Sequence, residues 1–138
     1  QGRADDTIKI AGKRVGPAEV ESALNGHPLV TESATIGVPH SVKGEALICF
    51  VVLKFPDKIS DALRKELAGV VVRVLGKTLA PEKIEFVPTL PKTRSGKIVR
   101  AAIRKKYLGE TLTDLSTIEN PESLDFVRND NLHKRLAD

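Results

Sequence analysis

The sequence predicts an α+β domain: an N-terminal two-stranded hairpin plus a three-stranded sheet covered by helices. Three observations predict it. Apolar and polar residues alternate at Ile8 to Val15, Val30 to Val38 and Ile84 to Val87; runs of helical period lie between them; and Ala46 to Leu53 is apolar at every position. The resulting order is hairpin, helix, strand, strand, helix, strand, helix.

Each element has its own local cause. Ile8-Lys9-Ile10 and Lys13-Arg14-Val15 flank Ala11-Gly12, a tip in which glycine takes positive φ freely. Gly12 also lets backbone approach a ligand, and the sequence does not separate that use from the turn itself. Gly16-Pro17 opens a helix, since proline suits the first helical position and Glu19 and Glu21 complement the N-terminal dipole. Val20 and Leu24 form its apolar side, and Asn25-Gly26 before Pro28 closes it.

Val30 to Val38 reads as a half-buried strand, with Ala34, Ile36 and Val38 on one face and Ser33 and Thr35 on the other. Pro39 to Gly44 makes a loop, and Ala46 to Leu53 reads as a central strand pairing with its predecessor. Ser60 caps a helix whose apolar stripe is Leu63, Leu67, Val70 and Val74, terminated by Gly76. After Pro81, Ile84 and Phe86 face one side of a third strand and Glu85 and Val87 the other. Ile98 to Leu108 forms the last helix, with Arg104, Lys105 and Lys106 late in it, where cations suit the dipole. Residues 1–108 form the domain, and 109–138 an extended, partly docked tail.

Composition narrows the function classes. The 138 residues fit one domain and fall short of a complete two-substrate enzyme. Lys and Arg number 22 against 18 Asp and Glu, so the net charge of +4 favours anionic partners without naming one. Cys49 lies in an apolar run and reads as a buried thiol, which fits a reducing cytoplasm. The longest apolar run is too short to span a bilayer, and no signal-peptide pattern opens the chain, so no membrane partner is expected. His27, His40 and His133 have no metal-ligand spacing, so no metal site is expected here. Four Phe, one Tyr and no Trp leave the basic charge without interleaved aromatics, against nucleic-acid binding.

The strongest chemical signal is Leu90-Pro91-Lys92-Thr93-Arg94-Ser95-Gly96-Lys97-Ile98-Val99-Arg100. Ser95-Gly96 supplies a turn that presents Lys97, and Lys92, Arg94, Lys97 and Arg100 crowd around it. Their mutual repulsion would be relieved by a phosphate, or else the loop is merely solvated. It is not a P-loop: that pattern needs glycine where Pro91 stands and Ser or Thr where Ile98 stands.

This loop and the segment from Gly2-Arg3-Ala4-Asp5-Asp6 through Ala11-Gly12-Lys13-Arg14-Val15-Gly16-Pro17 to Glu21 together resemble the two C-terminal motifs of the adenylate-forming enzymes, in order and at the expected separation. That superfamily includes acyl-CoA synthetases, adenylation domains and luciferase, and Thr113 to Pro121 is similar to the end of its acetyl-CoA synthetase branch. The resemblance implies a mobile C-terminal domain working with its own N-terminal adenylation domain, with ATP and CoA as substrates and Mg2+ bound with ATP outside this segment. The acid is first adenylated, releasing pyrophosphate, and CoA then displaces AMP.

Residue by residue, Lys97 matches the adenylation lysine, Asp5 the hinge, and Arg3 and Arg14 nucleotide-contacting arginines. Ala11, Gly12 and Lys13 match the hairpin tip that approaches the pantetheine of CoA. Arg73 is the basic residue of the long helix nearest the position of a CoA contact, although Val72 occupies that register. The matching lysine in many relatives is reversibly acylated, so a protein acetyltransferase and a deacetylase are further implied partners. The alternative is a standalone anion- or nucleic-acid-binding module.

Overall fold

The computed structural model describes residues 7–112 and 114–128. β1 (Ile8–Ile10) and β2 (Lys13–Val15) pair antiparallel as the expected hairpin, with Ile8 opposite Val15 and Ile10 opposite Lys13. Its two-residue tip places both Ala11 (φ 50°) and Gly12 (φ 83°) at positive φ, the conformation that matches the twist of tight hairpins. Glycine adopts it without cost, whereas Ala11 must be held there.

α1 (Pro17–Asn25) follows, with Pro17 in its first turn and the Glu19 carboxylate accepting the Gly16 N–H at 3.0 Å. β3 (Val30–His40) and β4 (Gly44–Leu53) then form the longest ladder, running in antiparallel register from Val30 opposite Leu53 to His40 opposite Gly44. α2 (Asp61–Leu75) is capped by Ser60, whose Oγ accepts the Leu63 N–H at 3.0 Å, and ends at Gly76. β5 (Lys83–Phe86) returns parallel to β4, and α3 (Arg100–Tyr107) closes the order. The strand order is β2-β1-β4-β3, with β5 also on β4. The α+β class is as expected, and the hairpin is joined to the sheet where Ile10 pairs with Gly44.

β4 is central, and its alternation divides the interior in two. Leu47, Cys49, Val51 and Leu53 face a cluster closed by α1, α2 and the hairpin. Ala46, Ile48, Phe50 and Val52 face a second cluster that includes Ile103 and Tyr107 of α3. Phe50 and Tyr107 meet edge to face there, ring centroids 6.0 Å apart. Ile118, Leu124 and Val127 of the tail are buried in that same cluster.

Two sequence expectations are corrected. The buried stripe of α2 is Leu63, Leu67 and Val71, while Val74 is 59% exposed. Three consecutive valines at 70–72 leave the helical phase ambiguous, and packing against β4 and β5 selects Val71. β3 is buried on both faces rather than one, because α1 covers Ser33 and Thr35 and satisfies them. Ser33 Oγ donates to Asn25 Oδ1 at 2.8 Å, and the Thr35 N–H donates to Glu21 Oε2 at 2.8 Å.

Candidate functional site

Residues 93–96 form a tight turn, with the Gly96 N–H donating to Thr93 O at 2.9 Å and Gly96 at φ 91°. Lys97 is locked to it twice: the Thr93 N–H donates to Lys97 O at 2.8 Å, and the Lys97 N–H donates to Thr93 Oγ1 at 3.1 Å. Lys92 and Ile98 face each other across the root of the loop. Glycine is needed here because a side chain would strain the positive φ that brings Lys97 round the turn.

The expected crowd of four repelling cations is not what forms. Lys92 Nζ lies 2.7 Å from Glu32 Oε1, and Arg100 pairs through Nε and a terminal nitrogen with Glu21. Arg94 is 4.0 Å from Glu119 at an exposed site. Among the described residues only Lys97, exposed on the turn, has a cationic group outside an ion pair in this loop. Pairing Lys92 and Arg100 with carboxylates reduces the basic patch and leaves Lys97, beside the exposed Arg94, as its unpaired charge.

The hairpin tip lies elsewhere. Ala11, Gly12 and Lys13 are exposed, and the tip is fixed by the Ala11 N–H donating to Lys43 O at 2.7 Å. Lys43 belongs to the β3–β4 connection, where His40 Nδ1 accepts both the Val42 and Lys43 N–H groups at 3.1 Å. A side chain added at Gly76 would come within 3.4 Å of Lys13 Nζ, so the end of α2 borders the tip, and exposed Arg73 lies in that last turn. Arg14 is exposed on β2 opposite Lys9. Arg3 and Asp5 lie outside the described residues.

Lys97 and the tip are thus rooted at opposite ends of one ladder. Lys92 is tied to Glu32 near the start of β3, and Ala11 to the connection after His40. Eight residue steps along the strand, at about 3.3 Å each, separate Glu32 from His40, roughly 26 Å. A cleft of about 460 Å³ opens between them, lined by Gly37, Glu45, Arg104, Lys105 and Glu110 among others. Its charges are of both signs, so it is not a simple anion trap.

Cys49 is a poor nucleophile. Burial, opposed by the Thr35 hydroxyl donating to Sγ at 3.7 Å, pushes its thiol up to about 12. Among the described residues no group of three or more His, Cys, Asp or Glu side chains is arranged to hold a metal ion, and no helix is long and apolar enough to cross a membrane.

The positions that sequence reasoning missed are the braces: Glu21, Glu32, His40 and Asn120. Glu21 carried a signal in the wrong place, as an acidic residue near a helix start. His40 carried one in its position before a turn, where a side-chain acceptor is able to bind loop N–H groups.

Residues 19–97 match the family model described as the AMP-binding enzyme C-terminal domain. The chain is 49% identical over 127 residues to an acetyl-coenzyme A synthetase of Methanothrix thermoacetophila, covering 92% of this chain and 19% of that protein. It is also 49% identical over 127 residues to a 3-hydroxypropionyl-coenzyme A synthetase of Metallosphaera sedula, with the same coverage. Among solved structures, an acyl-CoA synthetase of Brucella canis superposes with a TM-score of 0.70 at 46% identity, over 75% of this chain and 19% of that one. The chain spans about a fifth of the length of the curated relatives it matches. By the family match and by these identities, the chain belongs to the AMP-binding enzyme C-terminal domain family.

Proposed function

We propose that this domain is the mobile catalytic lid of an AMP-forming acyl-CoA synthetase, an acid–thiol ligase acting on acetate or another short-chain acid. The observation that carries the reading is Lys97, the one cation of the loop outside an ion pair among the described residues, presented on a turn whose Lys92 and Arg100 are held by carboxylates. A carboxylate attacking the α-phosphorus of ATP gathers negative charge on the phosphoryl oxygens as pyrophosphate leaves. A fixed ammonium aimed there lowers that barrier by a few kcal/mol.

In the second step the CoA sulfur attacks the acyl carbon and AMP departs. The Ala11-Gly12-Lys13 tip is the element that would guide pantetheine, with Arg73 near the CoA nucleotide and Arg14 near the ATP phosphates. Arg3 and Asp5 complete the reading as nucleotide contact and hinge. The separation of Lys97 from the tip supports alternate use by rigid-body rotation against an N-terminal adenylation domain. That domain would also hold the Mg2+ that accompanies ATP, and the whole would work in a reducing cytoplasm. Relatives that carry this domain within a chain about five times as long support this reading over a standalone anion- or nucleic-acid-binding module.

The test joins the domain to its adenylation core and measures two half-reactions. Lys97→Ala should slow acid-dependent pyrophosphate exchange by roughly a hundredfold or more while sparing thioester formation from preformed acyl adenylate. Equal loss of both, or turnover by the isolated 138 residues, would overturn the reading.

Acetylation of Lys97 by a protein acetyltransferase, reversed by a deacetylase, would remove the charge and switch the first step off. Its exposure supports this, since Lys92 is held by Glu32 and Lys106 donates to Leu124 O and Val127 O at 3.2 and 3.4 Å. Mass spectrometry after treatment with an acetyltransferase and acetyl-CoA should find the label on Lys97. Label spread over Lys92, Lys105 and Lys106 would count against it.

A further inference from the structure

The turn that presents Lys97 is braced from within and from outside. Within the loop, the two Thr93–Lys97 bonds, the Lys92–Ile98 pairing and the Val99 N–H donating to Pro91 O at 3.0 Å close it on itself, and Leu90, Lys92 and Thr93 take further support from outside. That support comes from residues 118–120, beyond the segment that the family model matches.

Asn120 uses both ends of its amide. Its Oδ1 accepts the Lys92 N–H at 2.9 Å, and its Nδ2 donates to Leu90 O at 2.9 Å, so one side chain fixes the backbone on both sides of Pro91. Proline has no N–H of its own to anchor that point. The Glu119 N–H donates to Lys92 O at 2.8 Å, and Ile118 bridges antiparallel to Thr93. Thr93 in turn bonds Lys97. A continuous ladder therefore runs from 118–120 through 92–93 to 97–98.

The clasp is itself anchored. Ile118, Leu124 and Val127 are buried against the α3 side of the sheet, and Ser123 donates through both its N–H and its hydroxyl to Asn120 O, at 3.0 and 2.7 Å. A long lysine on a surface turn has much conformational freedom, and a small displacement of a catalytic group is costly in rate. Fixing Lys97 through its backbone is the available way to restrict it.

We propose that Asn120 is a positioning residue for the first half-reaction, acting through Lys92 and Thr93 on Lys97. This rests on the adenylating role given to Lys97 above. It predicts a dependence confined to one step, because thioester formation from preformed adenylate does not use Lys97.

The test uses the domain joined to its adenylation core. Asn120→Ala should lower the kcat of pyrophosphate exchange roughly 10-fold to 100-fold, with thioester formation unchanged. Asn120→Asp, which keeps the acceptor for Lys92 N–H and loses the donor to Leu90 O, should fall between Asn120→Ala and wild type. In a Lys97→Ala background, Asn120→Ala should cost nothing further. Equal loss of both half-reactions, an undiminished effect in the Lys97→Ala background, or no effect in the single variant would each overturn the proposal. Absence of exchange in the wild-type protein would overturn the reading beneath it, so the two failures are distinguishable.

Discussion

Glu21 and Arg100, 79 positions apart, form a two-pronged ion pair around the open edge of β3. The same Glu21 carboxylate accepts the Thr35 N–H, so it ties α1, β3 and the start of α3 together just after the Lys97 turn. Glu21 is nearly buried, whereas Arg100 keeps about a third of its side-chain exposure. Removing the carboxylate leaves the Thr35 edge N–H without its acceptor and takes two charge-assisted bonds from Arg100. Glu21→Ala should therefore cost about 2–4 kcal/mol, discounted for the part of Arg100 that water reaches. Glu21→Gln, which retains an acceptor, should cost less. Urea denaturation followed by circular dichroism checks both.

Gly37 is required by a close approach. A Cβ there would come within 2.7 Å of Glu45 Oε2 and 2.8 Å of Ile8 Cγ2. Glu45 cannot yield freely, since its Oε1 accepts the Lys9 N–H at 2.9 Å and so secures β1. Gly37→Ala should destabilise the domain by about 1–3 kcal/mol. Hydrogen exchange should speed at Lys9 more than at the β3–β4 ladder, and uniform exchange would argue against this local cause.

Cys49 gives a pH dependence of defined sign. Its folded value, about 12, lies above the ordinary 9.0, so between these limits the folded state holds a proton that the unfolded state has lost. Stability is then full below about pH 9 and falls as pH rises towards 12. Other groups titrate in that window, so the contribution is read as a difference. The stability difference between wild type and Cys49→Ala should shift against wild type above pH 9, with iodoacetamide labelling the thiol only after unfolding.

His40 should matter for the second half-reaction. Its Nδ1 holds the Val42 and Lys43 N–H groups, and Lys43 O holds Ala11 at positive φ. His40→Ala should slow thioester formation from preformed adenylate roughly tenfold and leave pyrophosphate exchange intact. His40→Asn places an amide oxygen where Nδ1 stands and should recover most of the loss. His40→Gln, with its oxygen one carbon further out, should not.

Local signals were legible in the sequence. Ala11-Gly12 announced a hairpin, Ser60 a cap, Gly96 a turn and the unbroken Ala46 to Leu53 run a central strand, because each acts within a few residues. What stayed hidden depends on residues that only folding brings together. Glu21 read as a dipole partner and proved to be a cross-chain ligand for Thr35 and Arg100. Ser33 and Thr35 read as a solvent face because nothing local reveals that α1 supplies their partners. The Lys97 loop was found by its charge, but Glu32 and Glu21, which pair two of its four cations, and Asn120, which fixes its backbone, lie as far as 79 residues away.

The open edge of β3 has a consequence for solubility. An 11-residue strand buried on both faces and, among the described residues, unpaired along one side is a template onto which another chain could add. Glu21 occupies the Thr35 N–H there, and Arg104 Nε donates to Gly37 O at 2.8 Å, so two charged side chains occupy backbone groups that an incoming strand would need. The carboxylate and the guanidinium thus act as gatekeepers against self-association. Loss of either should appear first as concentration-dependent oligomers at temperatures where the monomer is still folded.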